Sequence, residues 1–183
     1  MVHQVQDFDA YLQQFKANAQ VRAEAGVRRF VMARLADGRV ALHFSAGSLQ
    51  SVQDFLQHEY LKLVEADQAT DSTLIWTTTD DLDELPAEVP PGSVSLFKKF
   101  PLTNTDCAVR ALIQAQPALS AQGVLGFSLH HSSTDTDVAI VHLLARDAGV
   151  GQHAFSKDLA SALTPCGATE LDQPILADNQ TEL

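Results

Sequence analysis

A pattern that occurs twice constrains this chain more than any other feature. Residues 26–46 read GVRRFVMARLADGRVALHFSA. Two runs of β-branched, aromatic and aliphatic residues flank Asp37-Gly38, a strong two-residue hairpin signal. A similar arrangement returns over residues 123–144. Gly26, Val27 and Phe30 fall on Gly123, Val124 and Phe127 at a spacing of 97. Val40-Ala41-Leu42 falls on Val138-Ala139-Ile140 at a spacing of 98, because the second turn is longer. Phe55 then falls near Phe155, and Leu74 on Leu171. A recurrence at this period predicts two similar modules.

The elements along the chain fit that reading. A short strand at 2–5 is followed by a helix that Asp7-Phe8-Asp9 can cap, with Tyr11, Leu12 and Phe15 at helical spacing. Gly26 ends it, and the first hairpin follows. Gly47-Ser48 opens a second helix through Leu49, Val52, Phe55 and Leu56, and residues 73–79, TLIWTTT, have strand composition. The order is β-α-β-β-α-β, the ferredoxin-like arrangement of two helices on a four-stranded antiparallel sheet.

Residues 80–92 carry five acidic residues and three prolines and read as a linker, stiffened by proline and extended by like charge. The pattern then restarts: a strand over 93–102 and a helix capped by Asn104 or Thr105, which Pro117 is expected to kink or end. A hairpin around 132–136, a helix over 151–163 and a last strand over 169–175 complete it. The predicted organisation is a first module over 1–80, an acidic linker over 81–92, a second module over 93–177 and a polar tail over 178–183.

Alternation along the second hairpin bears on packing. Leu125, Phe127 and Leu129 share one face, which Val141 and Leu143 can join, while Val138, Ile140 and Leu144 fall on the other. Both faces therefore need cover. The equivalent face of the other module is the simplest cover for the side without helices. The predicted fold class is α+β, with two ferredoxin-like modules whose antiparallel sheets pack as a barrel within one chain.

The chain is 45% apolar and 19% charged, enough for a core, with a formal net charge of −11. Up to Pro90 it holds 7 basic and 14 acidic residues, and beyond it 5 and 9. Acidity in both halves repels phosphate backbones and anionic lipid, so neither nucleic acid nor membrane is an expected partner. The N-terminus shows no signal-peptide pattern and no apolar run is long enough to span a bilayer, so a cytoplasmic protein is expected. Cys107 and Cys166 lie outside any CxxC or Cys/His ligand spacing and read as two reduced thiols.

Three stretches resemble the dimeric α+β barrel superfamily, the group that includes the antibiotic-biosynthesis monooxygenases. They are Val5-Gln6-Asp7-Phe8-Asp9-Ala10-Tyr11 leading into the first helix, Arg22-Ala23-Glu24-Ala25-Gly26-Val27 leading into the second strand, and Asp37-Gly38-Arg39-Val40 at the turn. Ser48-Leu49-Gln50-Ser51-Val52 through Phe55-Leu56 continues the resemblance, which covers residues 1–79 directly and the remainder through the repeat. It implies a barrel that such proteins usually build from two chains and that a tandem chain would build alone. The group includes cofactor-independent oxygenases, haem-degrading enzymes and isomerases.

Polar side chains on otherwise apolar strands are the candidates for chemistry. His43 interrupts Ala41-Leu42-Phe44, Trp76 sits in the threonine-rich strand, and His130, His131 and His142 lie on the second hairpin. His43 and His142 are the candidate catalytic bases and Trp76 the orienting donor. His130 is a candidate ligand contact; its neighbour His131 must face the opposite side of a strand. Arg28 and Arg34 share a parity and could meet an anionic ligand. His58-Glu59-Tyr60 lacks the second His of HExxH, since position 62 is Lys, and no GxGxxG, phosphate loop or GxSxG occurs. Neither a metal nor a cofactor is expected.

Three readings remain open: a cofactor-independent monooxygenase-like enzyme on an aromatic or quinol substrate, a non-catalytic ligand-binding or structural module with a filled barrel, and a haem or metal protein, which the scattered ligands disfavour. A small-molecule ligand is the expected partner. The chain is expected to form a pseudo-dimer by itself, with further homodimerisation left open.

Overall fold

The chain opens with strand β1 (Val2–Val5), and Asp7 then caps helix α1 (Phe8–Ala17), its Oδ1 accepting from the Ala10 amide at 3.0 Å. The computed structural model describes residues 2–24, 26–35, 38–48, 50–51, 54, 69–74, 78–86, 88–132, 135, 137–171 and 174–182. These fall into two compact units, one of residues 1–77 with 179–183 and one of residues 78–178.

In the first unit α1 is followed by α2 (Ala19–Glu24), β2 (Val27–Leu35), β3 (Arg39–Ala46) and β4 (Ala69–Leu74). The strands pair antiparallel: β2 with β3, β3 with β1, and β1 with β4. Tyr11 and Phe15, one turn apart on α1, are fully buried against Val5, Val27, Met32, Val40 and Leu42. Each such side chain contributes about 1.5–3 kcal/mol by leaving water. Arg22 is buried with them; its guanidinium donates to the Phe15 carbonyl and lies 3.7 Å over the Phe15 ring. The second helix expected here, with His58-Glu59-Tyr60, lies almost wholly outside the described residues.

The second unit starts earlier than its sequence suggests. Residues 80–83, expected in the acidic linker, belong to strand β5 (Thr78–Asp83), which pairs antiparallel with β7 (Val124–Ser132). Three aspartates among the six residues of β5 make a poor strand signal, but ladder bonds are made by the backbone whatever the side chains. After β5 the Glu84 amide donates to the Phe127 carbonyl at 2.9 Å, and the chain crosses Gly126 so closely that a Cβ there would lie 2.5 Å from the Glu84 carbonyl oxygen.

Strand β6 (Val94–Pro101), helix α3 (Thr105–Gln122), β7 and β8 (Val138–Ala145) follow. Pro117 does not end α3, which runs on to Gln122: Leu119 beyond it is fully buried, and Gly123 closes the helix at φ 103. Helix α4 (Ala148–His153), capped by Asp147, passes through a π-helical stretch (Ala154–Leu159) into α5 (Ala160–Leu163) and a 3-10 turn (Thr164–Cys166). The last strand is not 169–175 but β9 (Ile175–Glu182), so the expected polar tail is strand as far as Glu182; its first residues pair with β6. Cys107 and Cys166 are not reduced thiols here. They form a disulfide that joins the first turn of α3 to the 3-10 turn.

The same features recur in the two units. The ladder β4-β1-β3-β2 matches β9-β6-β8-β7. Val27 pairs with Ala46 and Val124 with Ala145, and each pair is followed at once by a register shift, a bulge. The strands before the turns therefore match at a spacing of 97, and those after it at 99, because the second connection is two residues longer. Asp7 and Asn104 are matching caps, and Gly26 and Gly123 both have positive φ. The spacing of 98 expected for Val40-Ala41-Leu42 is one short: Leu42 corresponds to Val141, and His43 to His142.

The bulge also corrects the face expected for Leu125. Leu125 is displaced at the bulge and exposed, while Val124, Phe127 and Leu129 face α3 and the α4–α5 helix with Leu96, Phe100, Val141 and Leu143. No described helix is long and apolar enough to cross a membrane.

Candidate functional site

Opposite that core, the second unit's sheet has a face on which none of that unit's described helices packs. Alternation puts Ser95 and Phe97 of β6, Ser128 and His130 of β7, and Ile140, His142 and Leu144 of β8 on it. Ser128 pairs directly with His142, Phe97 with His142, and His130 with Ile140. Ser95, Ser128, His130 and His142 are all more than nine-tenths buried. Buried polar groups of this kind persist only with hydrogen-bond partners.

Two contacts join a hydroxyl to an imidazole, while the buried Nδ1 of His142 makes no hydrogen bond among the described residues. Ser95 Oγ lies 2.8 Å from His142 Nε2, and Ser128 Oγ lies 2.7 Å from His130 Nε2. In the tautomer protonated at Nδ1, each hydroxyl donates to Nε2 and the imidazole is a base. The Phe97 ring stacks on His142 with centroids 4.2 Å apart and planes 16° from parallel. Two imidazole–hydroxyl pairs thus share one sheet face. Such a pair can accept a proton, relay it, or orient a hydroxylated or aromatic ligand.

The structure brings two sequence candidates together here, His142 and His130. His131, as alternation required, is on the other face and half-buried. His43 sits in β3 at the position paired with Val31; Trp76 lies outside the described residues, and nothing of the Arg28 side chain is described. The bulge between Val27 and Arg29 interrupts the even spacing on which a common direction for Arg28 and Arg34 rests. Arg34 is exposed, with its guanidinium carbon 5.8 Å from the Phe8 ring centroid. Sequence reasoning missed Ser95 and Ser128. A serine two residues before His130 on one strand was the available signal, since residues i and i+2 share a face.

A separate cavity of about 250 Å³ lies on the helical side of the second unit, lined by Ser156, Ala160, Thr164, Ala168, Thr169, Glu170 and Leu171. It holds none of the candidates. Among the described residues no group of three or more His, Cys, Asp or Glu side chains is placed to hold a metal ion.

No protein-family model matches this sequence, and no curated protein does. Solved structures do. An anthrone oxidase-like protein is 12% identical, with 100% of this chain and 90% of that one covered and a TM-score of 0.62. A protein from Lactobacillus acidophilus NCFM, provisionally described as a monooxygenase, is 8% identical over 99% and 93% of the chains, with a TM-score of 0.63. A ferredoxin-fold protein from Listeria monocytogenes 4b F2365, related to antibiotic-biosynthesis monooxygenases, is 10% identical over 98% and 94%, with a TM-score of 0.52. This chain is α+β, antiparallel in its sheets, and has the ferredoxin-like fold of proteins related to antibiotic-biosynthesis monooxygenases, as the resemblance to the dimeric α+β barrel superfamily implied.

Proposed function

We propose that this chain is a small-molecule-binding α+β barrel protein with cofactor-independent, monooxygenase-like activity on an aromatic or quinol-type substrate. The observation that carries this reading is the Ser95–His142 pair, buried on a helix-free sheet face. The substrate gives a proton to Ser95 Oγ as Ser95 passes its own to His142 Nε2, a general-base step. The electron pair left on the substrate then reduces dioxygen. For an anthrone, the balanced products are an anthraquinone and water. Phe97, stacked on the imidazole, is an apolar plane against which an aromatic ligand can lie. His43, in the matching position of the first unit, and Trp76, as orienting donor, are the further catalytic candidates. Arg28, Arg34 and His130 are the candidate ligand contacts. The description of one structural neighbour as anthrone oxidase-like supports the substrate class.

The recurring ladders, bulges and caps support a second part of the reading, that the units are tandem modules forming one barrel within the chain. Gel filtration is then expected to show a species of 19.8 kDa; a protein that is dimeric at every concentration would overturn it.

Dioxygen uptake with 1,8-dihydroxyanthrone and a panel of quinols tests the activity. His142→Ala is expected to lower turnover by about 100-fold or more. Turnover unchanged by that substitution removes His142 as the base. Ligand binding without turnover in the unaltered protein would favour the non-catalytic module, with the Ser–His pairs as structural hydrogen bonds.

A further inference from the structure

We infer that the chain carries one ligand site rather than two, on the second unit's helix-free face, with Ser95 and Ser128 as the residues that position its imidazoles. This rests on the proposed reading that the face binds a ligand. The observation behind it is the matched register. His43 pairs with Val31 in β3–β2 as His142 pairs with Ser128 in β8–β7, and both ladders follow the same bulge. The match is therefore position by position. At a spacing of 97, Val31 stands where the second unit has Ser128, and Ala33 stands where it has His130.

The two faces so differ in chemistry at places where their backbones agree. Valine and alanine side chains supply neither donor nor acceptor, so at these two matching register positions the first unit has neither an imidazole nor a hydroxyl. In the second unit the hydroxyls are within 2.7 and 2.8 Å of the ring nitrogens. Each bond selects a ring orientation, and the hydroxyl can serve either tautomer, donating to a bare Nε2 or accepting from a protonated one. Among the described residues, a ligand that needs two imidazoles on one sheet face finds them on the second unit's. Its class follows from the lining: a planar aromatic body for Phe97, carrying at least two oxygen functions for the two imidazole–hydroxyl pairs.

The test is a titration of the full chain with 1,8-dihydroxyanthrone in the absence of dioxygen, read by absorbance. One molecule bound per chain is expected. Ser128→Val combined with His130→Ala gives the second unit the first unit's residues and is expected to weaken binding at least tenfold, with far-UV circular dichroism unchanged. Should that protein fail to fold, His130→Gln alone, which keeps a hydrogen-bonding side chain, is expected to weaken binding at least threefold. Ser95→Ala is expected to shift the His142 ring nitrogen resonances, a signature that loss of packing alone does not produce. Two molecules per chain, an affinity within twofold of the unaltered protein for the variants, unmoved His142 resonances, or no binding at all overturns the inference. Turnover is not part of the readout. One anthrone bound per chain and never oxidised upholds the single site and ends the oxygenase reading; two bound and oxidised does the reverse.

Discussion

Phe15 and Leu112, Arg22 and Leu119, Val31 and Ser128, and His43 and His142 occupy matching places in the two units, and only the last pair is the same residue. The first unit spends its difference in the core, where Arg22 is buried against Phe15. The second has Leu119 at that place within an apolar core cluster, and holds Ser95, Ser128, His130 and His142 buried on the helix-free face. A backbone pattern built from caps, glycine ends and bulges tolerates both solutions, because none of those devices depends on what the intervening side chains do. Similarity of backbone between the units is thus no guide to similarity of chemistry.

The disulfide gives the largest expected asymmetry. Cys107 and Cys166 close a loop across 59 residues of the second unit, for which restriction of the unfolded chain is worth about 4 kcal/mol. Replacing both by serine is expected to speed hydrogen exchange of α3 amides well beyond that of α1 amides in the same chain. Equal acceleration in both helices would show that the units unfold together.

The Arg22/Leu119 contrast comes next. Arg22→Ala leaves the Phe15 carbonyl without that donor and a void beneath the ring, and is expected to cost about 2–3 kcal/mol. Arg22→Leu, which gives the first unit the second unit's residue, is expected to stay within about 1 kcal/mol of the parent, since apolar replacement of a buried charge is often neutral. Urea titration of the full chain measures both; a leucine variant as weak as the alanine variant would mean the charge itself is needed.

The smallest effect is at the caps. Asp147 Oδ1 accepts from the Val150 amide at 2.9 Å, and that bond, with Arg146 alongside, holds its carboxyl below the ordinary value of 3.8 despite a smaller opposing effect of desolvation. A lowered folded pKa stabilises above the unfolded pKa, and that contribution disappears as pH falls through the folded one. The parent should thus lose more of its thermal midpoint between pH 5 and about 2 than Asp147→Asn does. Ser48, the matching cap whose Oγ accepts from the Ser51 amide, has no such titration. Parallel acid profiles for parent and variant would remove the carboxylate from the account.

Features with local causes were readable in advance: Gly26 and Gly123, the Asp7 and Asn104 caps, and the hairpins, each written in a few adjacent residues. Two kinds of feature were not. The bulges shift phase without any marker beyond Gly126, which is why strict alternation puts Leu125 on the wrong face and the spacing of 98 falls one residue short of the His43–His142 match. Strands β5 and β9 are polar, and their partners are remote. Cysteine pairing across 59 residues has no local trace, and serine is too common on strands for Ser95 or Ser128 to stand out before His142 and His130 were seen beside them.

Strand β5 has a practical consequence for anyone dividing this protein. Proline and charge invite a cut near Gly92, yet a fragment starting there leaves behind the strand that covers the outer side of β7. The bared edge would then offer a row of unsatisfied amides and carbonyls to any passing strand. Such a piece is expected to clump, and its insolubility would say nothing of whether the second unit can stand alone. A cut ahead of Thr78 keeps edge and cover in one molecule.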